Sequence, residues 1–311
     1  MIVYITNRVL QGLVVLVGVS FIVFALMHLT PGNPAEVMLS EFGASAEDLR
    51  RLRDQLGIDQ HWTLQYRDFL AGAVRGDLGR SLFTRRPVAE QIISALPSTL
   101  ALTSSAIGIA LVVGMPLGIV SALRHRTWID SVSMVMSLLG VAMPVFWIAI
   151  LLILIFSINL GWFPATGGVG AGSMVLPAVA LGLGAAGLIA RLVRSSMLEV
   201  LRAEYIVTAR SKGLREAPVI VRHALRNALI PLVTIVGLQI GNLLSGAVVV
   251  ETVFARQGIG SMLIKGIVQK DFPLVQGLIL FIAVVYIGIN IAIDILYGVI
   301  DPRVRTGAGG R

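Results

Sequence analysis

Few residues in this chain are of a type that could carry chemistry, and their spacing excludes most reactions. There is no cysteine, which removes disulfides, thiolate metal sites and cysteine nucleophiles. The four histidines, His28, His61, His125 and His223, are scattered, and no H-E-x-x-H occurs, so no metal ligand set is legible. No Gly-Lys dipeptide exists, so no G-x-x-x-x-G-K-[ST] loop can cradle a nucleotide's phosphates. The run "LLSGA" at 243–247 sets a serine among apolar residues, as an intramembrane serine protease would. It lacks the glycine two residues before that serine, and no histidine lies in the later part of the chain. Catalysis is not expected.

Two polar features remain. Asp294 interrupts an apolar run, "NIAIDILYGVIDPRVR". At 1.5 Å per residue it lies roughly 7–8 Å inside the end of a helix, about halfway to the centre of a ~30 Å hydrocarbon core. Two readings stay open: a carboxylate paired with a basic group or another helix, or an ion site in a carrier. The second feature is "EYIVTARSKGLREAPVIVRHALRNALIP", residues 204–231. Between Arg191 and Arg226 there are eight Lys/Arg and three Glu, a basic excursion flanked by nearly uncharged sequence.

The elements that must position these residues are membrane helices. Of 311 residues, 56% are hydrophobic and 14% charged, against about a quarter charged in soluble domains. Roughly 20 apolar residues span a bilayer, and six such runs occur, at about 9–29, 99–123, 131–157, 174–192, 229–250 and 274–299. The expected fold class is an all-α membrane protein with six transmembrane helices. The first run exceeds the 7–15-residue core of a signal peptide and is followed by "HLTPGNP", without a small-x-small cleavage site, so a retained helix is expected. The net charge of +8 follows membrane topology and not nucleic-acid binding. "RHRTW" at 124–128, the 191–227 connector and "DPRVR" at 301–305 are basic, whereas "GWFPATGGVGAG" at 161–172 has no charge. The positive-inside rule then puts both termini and the basic loops in the cytoplasm, and 30–98, 160–173 and 254–273 outside.

The expected division is an N-terminal transmembrane helix (1–30), an extracytoplasmic segment (31–98), a five-helix transmembrane core (99–299) and a cytoplasmic tail (300–311). In the outer segment, "SAEDLRRLRDQLGI" reads as a helix. Ser45 opens it in capping-box fashion, Leu49, Leu52 and Leu56 form a stripe, and Gly57 stops it. That segment is either a solvated cap or a docking surface. The core contains a coupling hairpin at 191–231. Its first arm, "ARLVRSSMLEVLRAEYIVTARSK", has no Gly or Pro and reads as one helix. Gly213 caps that helix in the left-handed conformation, and Pro218 starts the return helix at its first position. Tyr205, Ala209 and Gly213 recur every four residues, on one face, with Thr208, Arg210 and Lys212 around them.

At these residues the chain resembles the membrane-spanning subunits of binding-protein-dependent ABC importers, of the dipeptide/oligopeptide/nickel type. "YIVTARSKGL" and "HALRNALIP" are similar to that family's EAA loop, whose coupling helix sits in a cleft of the ATPase. The broad pattern opens Glu-Ala-Ala; here Val207, Thr208 and Ala209 stand there, so the Glu is missing while Ala209 and Gly213 match. "RVLQGLVVLVGVSFIVFALMHLTPGNP", "GDLGRSLFTRRPVAEQI", "VRSSMLEVL", "GAVVVETVFARQGIG" and "NIAIDILYGVIDPR" carry the likeness over nearly the whole chain.

The resemblance implies a type I ABC importer-like permease, non-catalytic, in a bacterial or archaeal cytoplasmic membrane. It implies ATPase contacts at Tyr205, Thr208, Ala209, Arg210, Lys212, Gly213 and Leu214. The implied partners are a second homologous permease, two ATPase subunits and an extracytoplasmic substrate-binding protein, with no cofactor here and ATP and Mg on the ATPases. Di- or oligopeptides are the expected cargo. For the pathway, Pro116 and Pro144 could kink the second and third spans, and Ser104, Ser105, Ser137, Gln239 and Asn242 could face a pore. Polar side chains between packed helices serve equally as structural glue. A self-sufficient channel or ion-coupled carrier using Asp294, and an assembly scaffold, are the rival functions.

Overall fold

The computed structural model describes residues 2–29, 61–166, 170 and 172–300. The helix expected at 45–57 and the tail beyond 300 lie outside these residues. Every regular element described is helical, as a lipid environment requires, since a helix satisfies its backbone groups internally. Five helices are long and apolar enough to cross a membrane, and a bent pair makes a sixth candidate span. By packing, the chain forms two units, one of residues 1–97, 257–298 and 302–311, the other of 98–256 and 299–301.

In the first unit, α1 (Ile2–Leu29) carries α2 (Trp62–Val74) through polar and aromatic contacts. The Tyr66 hydroxyl donates to the Val17 carbonyl (3.2 Å) and lies 2.9 Å from Ser20 Oγ, while its ring meets Phe21 and Phe24 at 5.6 and 5.2 Å. The start of α3 (Val88–Leu123) packs Val88, Ile92 and Ala95 against Ile259 of α11 and Leu274 and Leu278 of α12. These last helices span Ile259–Gln269 and Phe272–Ile300. The i, i+4, i+7 spacing on α3 gives it one face for that contact. Asp271, fully buried between α11 and α12, accepts from Ser81 Oγ (2.5 Å) and the Leu82 N–H (3.1 Å). Asp294 forms an ion pair with Arg8 of α1 at 3.0 Å. Of its two sequence readings, the structure supplies the paired one.

The second unit is organised around α6 (Gly172–Leu201). Its apolar window is 61% buried, against 6% for that of α12. Small residues explain this. A Cβ on Gly114 or Gly118 of α3 would stand 2.6 or 2.5 Å from the Ala186 or Ala190 carbonyl of α6. A Cβ on Gly187 of α6 would stand 2.2 Å from the Ser137 carbonyl of α4 (Trp128–Ala142). Without a hydrophobic drive in lipid, such close backbone approach is what holds helices together.

The kink expected at Pro144 is present as a full break, whereas a kink at Pro116, a second span starting near 99 and an unbroken first arm of the hairpin are corrected. The third span is not one helix: α4 and α5 (Val145–Leu152), the latter continued by a π-helical stretch Ile153–Asn159, meet at 106°. Pro144, extended and without an N–H, caps α5 and cannot continue α4. Pro116 has no such effect, since α3 is unbroken for 36 residues. Those residues measure about 54 Å, beyond the ~30 Å of a bilayer core, because the helix begins at Val88 and not near 99. The first arm of the hairpin is also broken. α6 stops at Leu201, and α7 (Glu204–Ser211) restarts after an extended Ala203. That break turns Ile206 into the core, where it is fully buried. Tertiary packing here overrides an uninterrupted helical propensity.

Candidate functional site

The basic hairpin is rooted in the second unit by apolar residues and tied across itself by polar ones. Ile206 and Val219 are fully buried and Ala209 is 9% exposed, all in one core with Val193 and Met197 of α6. Gly213 has φ +76, the left-handed cap expected, with open space where a Cβ would lie. Pro218 falls at the third residue of α8 (Glu216–Pro218), with Arg215 as N-cap, a correction of two positions. It still sits in a first turn that needs no N–H from it. A π-helical stretch Val219–Ala224 and α9 (Leu225–Ala228) lead into α10 (Ile230–Val253).

Across the hairpin, the Arg210 guanidinium grips the Glu216 carboxylate with both Nε (3.2 Å) and Nη2. That bond lowers the Glu216 pKa and raises that of Arg210. Asn227 Nδ2 donates to the Tyr205 hydroxyl at 2.9 Å, and Thr208 Oγ1 bonds back to the Glu204 carbonyl. Lys212, Gly213 and Leu214 are exposed at the tip. Tyr205, Ala209 and Gly213 do not form one outward face: Ala209 points into the core, while Tyr205 is 44% exposed. The outward apolar residues are Tyr205, Val207, Leu214 and Val221.

Sequence reading missed the lock beside this hairpin. Asp130, at the start of α4, is 5% exposed. It accepts from Arg194 Nε (2.7 Å) and Nη2 (2.8 Å) on α6, from Ser121 Oγ (2.5 Å) on α3 and from the Arg126 N–H (3.1 Å). His125 Nδ1 lies 3.0 Å from the same carboxylate. Arg126 adopts φ 63, a left-handed conformation that the bond to Asp130 helps to impose. A planar guanidinium fork on a carboxylate is the strongest common ion-pair geometry. It fastens the α3–α4 turn to α6 seven residues before α6 ends. The one hint in sequence is an acid two residues after "RHRTW".

The expected pathway residues separate. Gln239 and Asn242 on α10 line a cavity of 180 Å³ with residues of α4, α5 and α6, among them Gly140, Met143, Leu181 and Gly184. Asn242 Nδ2 donates to Gln239 Oε1 at 2.8 Å. Ser137 is 1% exposed and bonds the Ser133 carbonyl, and Ser104 bonds the Ala101 carbonyl. Neither Ser104, Ser105 nor Ser137 lines that cavity. Also missed was Glu251, fully buried in α10 and accepting from Thr99 Oγ1 at 2.6 Å; it follows the expected end of the fifth span. Among the described residues no three His, Asp or Glu group together as a metal site.

These features define a multi-pass helical membrane protein with a structured basic hairpin between two of its spans. Residues 114–306 match the family described as binding-protein-dependent transport system inner membrane component. Residues 1–103 match the N-terminal region of the same kind of membrane component. The chain belongs to this family of transport permeases. It is 40% identical to a dipeptide transport system permease protein of Alkalihalophilus pseudofirmus, over 98% of this chain and 100% of that protein. It is 42% identical to a putative peptide transport system permease protein of Brucella abortus, over 97% of this chain and 98% of that one. A glutathione transport system permease protein of Escherichia coli O6:H1 is 40% identical with the same coverage. In three dimensions the chain is similar to one of the MetNI methionine ABC transporter in an inward facing form. The TM-score is 0.59 at 18% identity, covering 68% of this chain and 96% of that one, which gives it the type I importer permease fold.

Proposed function

We propose that the chain is one permease subunit of an ATP-driven importer for di- or oligopeptides, and that residues 204–231 couple it to a separate ATPase. The observation that carries the coupling role is mechanical continuity. The hairpin shares its core with α6, α6 is bolted to α4 through Arg194 and Asp130, and α6 supplies Leu181 and Gly184 to the wall of the cavity. A displacement at the tip is thereby transmitted to the cavity wall, as a two-state coupling element requires. The contact set is Tyr205, Thr208, Arg210, Lys212, Gly213 and Leu214, with Ala209 behind them in the core.

The remaining parts follow the same reading. A second homologous permease completes the pathway, two ATPase subunits bind ATP and Mg, and an extracytoplasmic binding protein delivers the substrate. The basic ends of the chain and the hairpin face the cytoplasm. The association of the basic α3–α4 turn with α6 beside the hairpin supports that orientation. Residues 31–98 and 254–273 face outward and receive the binding protein. The pairing of Asp294 with Arg8 argues against the ion-coupled carrier.

The test is co-purification from gently solubilised native membranes, followed by reconstitution. Recovery with a second permease and P-loop ATPases, and peptide uptake only with ATP, is expected. A chain that purifies alone and carries substrate without ATP overturns the proposal.

A further inference from the structure

We infer that Gln239 and Asn242 form a side-chain-independent subsite for the main chain of an extended peptide inside the permease. This rests on the peptide-import reading above. The two residues are three apart on α10, on one face of the helix, and among the described residues they are the only hydrogen-bonding side chains in a cavity otherwise walled by apolar groups and glycines. Neither a carboxylate nor a cation lines it, so the termini and charged side chains of a peptide find no partner there.

The amide pair offers a specific complement. Asn242 Nδ2 donates to Gln239 Oε1. Among the described residues, that leaves the Gln239 amino group as a donor and the Asn242 carbonyl as an acceptor, both directed by one another. Exchanging oxygen and nitrogen on both amides would leave the same set, one donor and one acceptor. In an extended chain the N–H and C=O of one residue point to the same side, and a neighbouring strand satisfies them as a pair. The Gln–Asn pair stands in for that neighbour. It reads a feature shared by every peptide, whatever its sequence.

The size agrees with a local grip on main chain. The cavity measures 180 Å³, below the roughly 300–1,000 Å³ of a site that encloses a whole drug-sized ligand, which suits a short length of backbone and not a whole oligopeptide. Gly140, Gly184 and Gly246 keep the wall low beside the two amides.

The test uses the complete importer in proteoliposomes, with its ATPases and binding protein. Uptake of labelled trialanine is compared with that of an analogue in which an ester joins its first and second residues, so that the N–H of the second residue is gone. Replacing by Leu whichever of the two residues presents its oxygen should lower trialanine uptake about three- to tenfold, the range of one net hydrogen bond, and lower uptake of the ester analogue less. Replacing the other residue removes the donor side and should lower both substrates alike, so Asn242→Leu and Gln239→Leu are compared. The binding protein's own preference is common to wild type and variants and cancels in each ratio. Equal losses on both substrates in each of the two variants, or no loss in either, overturn the subsite while leaving the importer reading standing. Import of neither substrate by the wild-type complex overturns the peptide reading and the subsite with it.

Discussion

Asp130 and Asp271 are both buried carboxylates that fasten a turn to a helix, yet they are satisfied by different means. Asp271 holds the Ser81–Leu82 turn with a hydroxyl and a backbone N–H and also accepts from the Leu274 N–H of α12, all of them neutral donors. Asp130 gathers a hydroxyl from α3, a backbone N–H from the turn and a guanidinium from α6. The first arrangement fixes a loop in place. The second binds three helices at the root of the hairpin, using a residue of the very helix that leads into it. Under the proposed coupling, Asp130 is the anchor that lies between the hairpin and the cavity.

The comparison is broken most severely by removing one charge of the Asp130 pair. Arg194→Ala leaves a buried carboxylate without its cation, and losing one partner of such a pair costs about 3–5 kcal/mol. A large fall in the yield and melting temperature of detergent-purified protein is expected. Leu at both positions should recover part of that loss, because an apolar pair is often as stable as a buried ion pair. No recovery would mean that Asp130 serves its other donors more than Arg194. Asp271→Asn should cost less, about 1–3 kcal/mol for one buried hydrogen bond left unmatched, and should leave coupling unaffected. The smallest effect belongs to Arg210 and Glu216 at the exposed tip. Glu216 titrates below its ordinary value of 4.5, so its contribution is present above that pH and is lost as the pH falls through the lower folded value. Hydrogen exchange across 204–216 should therefore be constant from neutral pH to about 5, after correction for intrinsic rates, and rise only in stronger acid. A rise near neutrality would point to another group.

Much of the fold was legible because lipid imposes a simple grammar: apolar length gives the helices, and Gly213 could be placed at a left-handed cap from its position alone. Pro144 was legible as a place where the third span could bend, but its 106° turn was not separable in sequence from Pro116 and Pro97, which sit in α3 without breaking it. Proline tells where a helix can stop, and packing decides whether it does. The break before Glu204 has no Gly or Pro to announce it and follows from burying Ile206. Of the pathway candidates, Gln239 and Asn242 share a cavity while Ser137 bonds its own helix; composition does not separate them, because hydroxyls and primary amides alike can return to their own helix backbone, and packing decides which of them faces a cavity. Asp130 and Arg194 are 64 residues apart, and nothing in their local sequence reports that they meet.

The central claim is that the hairpin carries motion from ATP hydrolysis to the spans. Its most direct test is uptake per ATP hydrolysed in proteoliposomes containing the complete importer with Gly213→Val. At φ +76 a β-branched residue is a steric outlier, so the tip must reshape while the buried root at Ile206 and Val219 stays. The account predicts assembled complexes that still hydrolyse ATP but import at least about tenfold less per ATP, the equivalent of roughly 1.4 kcal/mol of lost coupling. Wild-type uptake per ATP, at equal levels of complex, would contradict it.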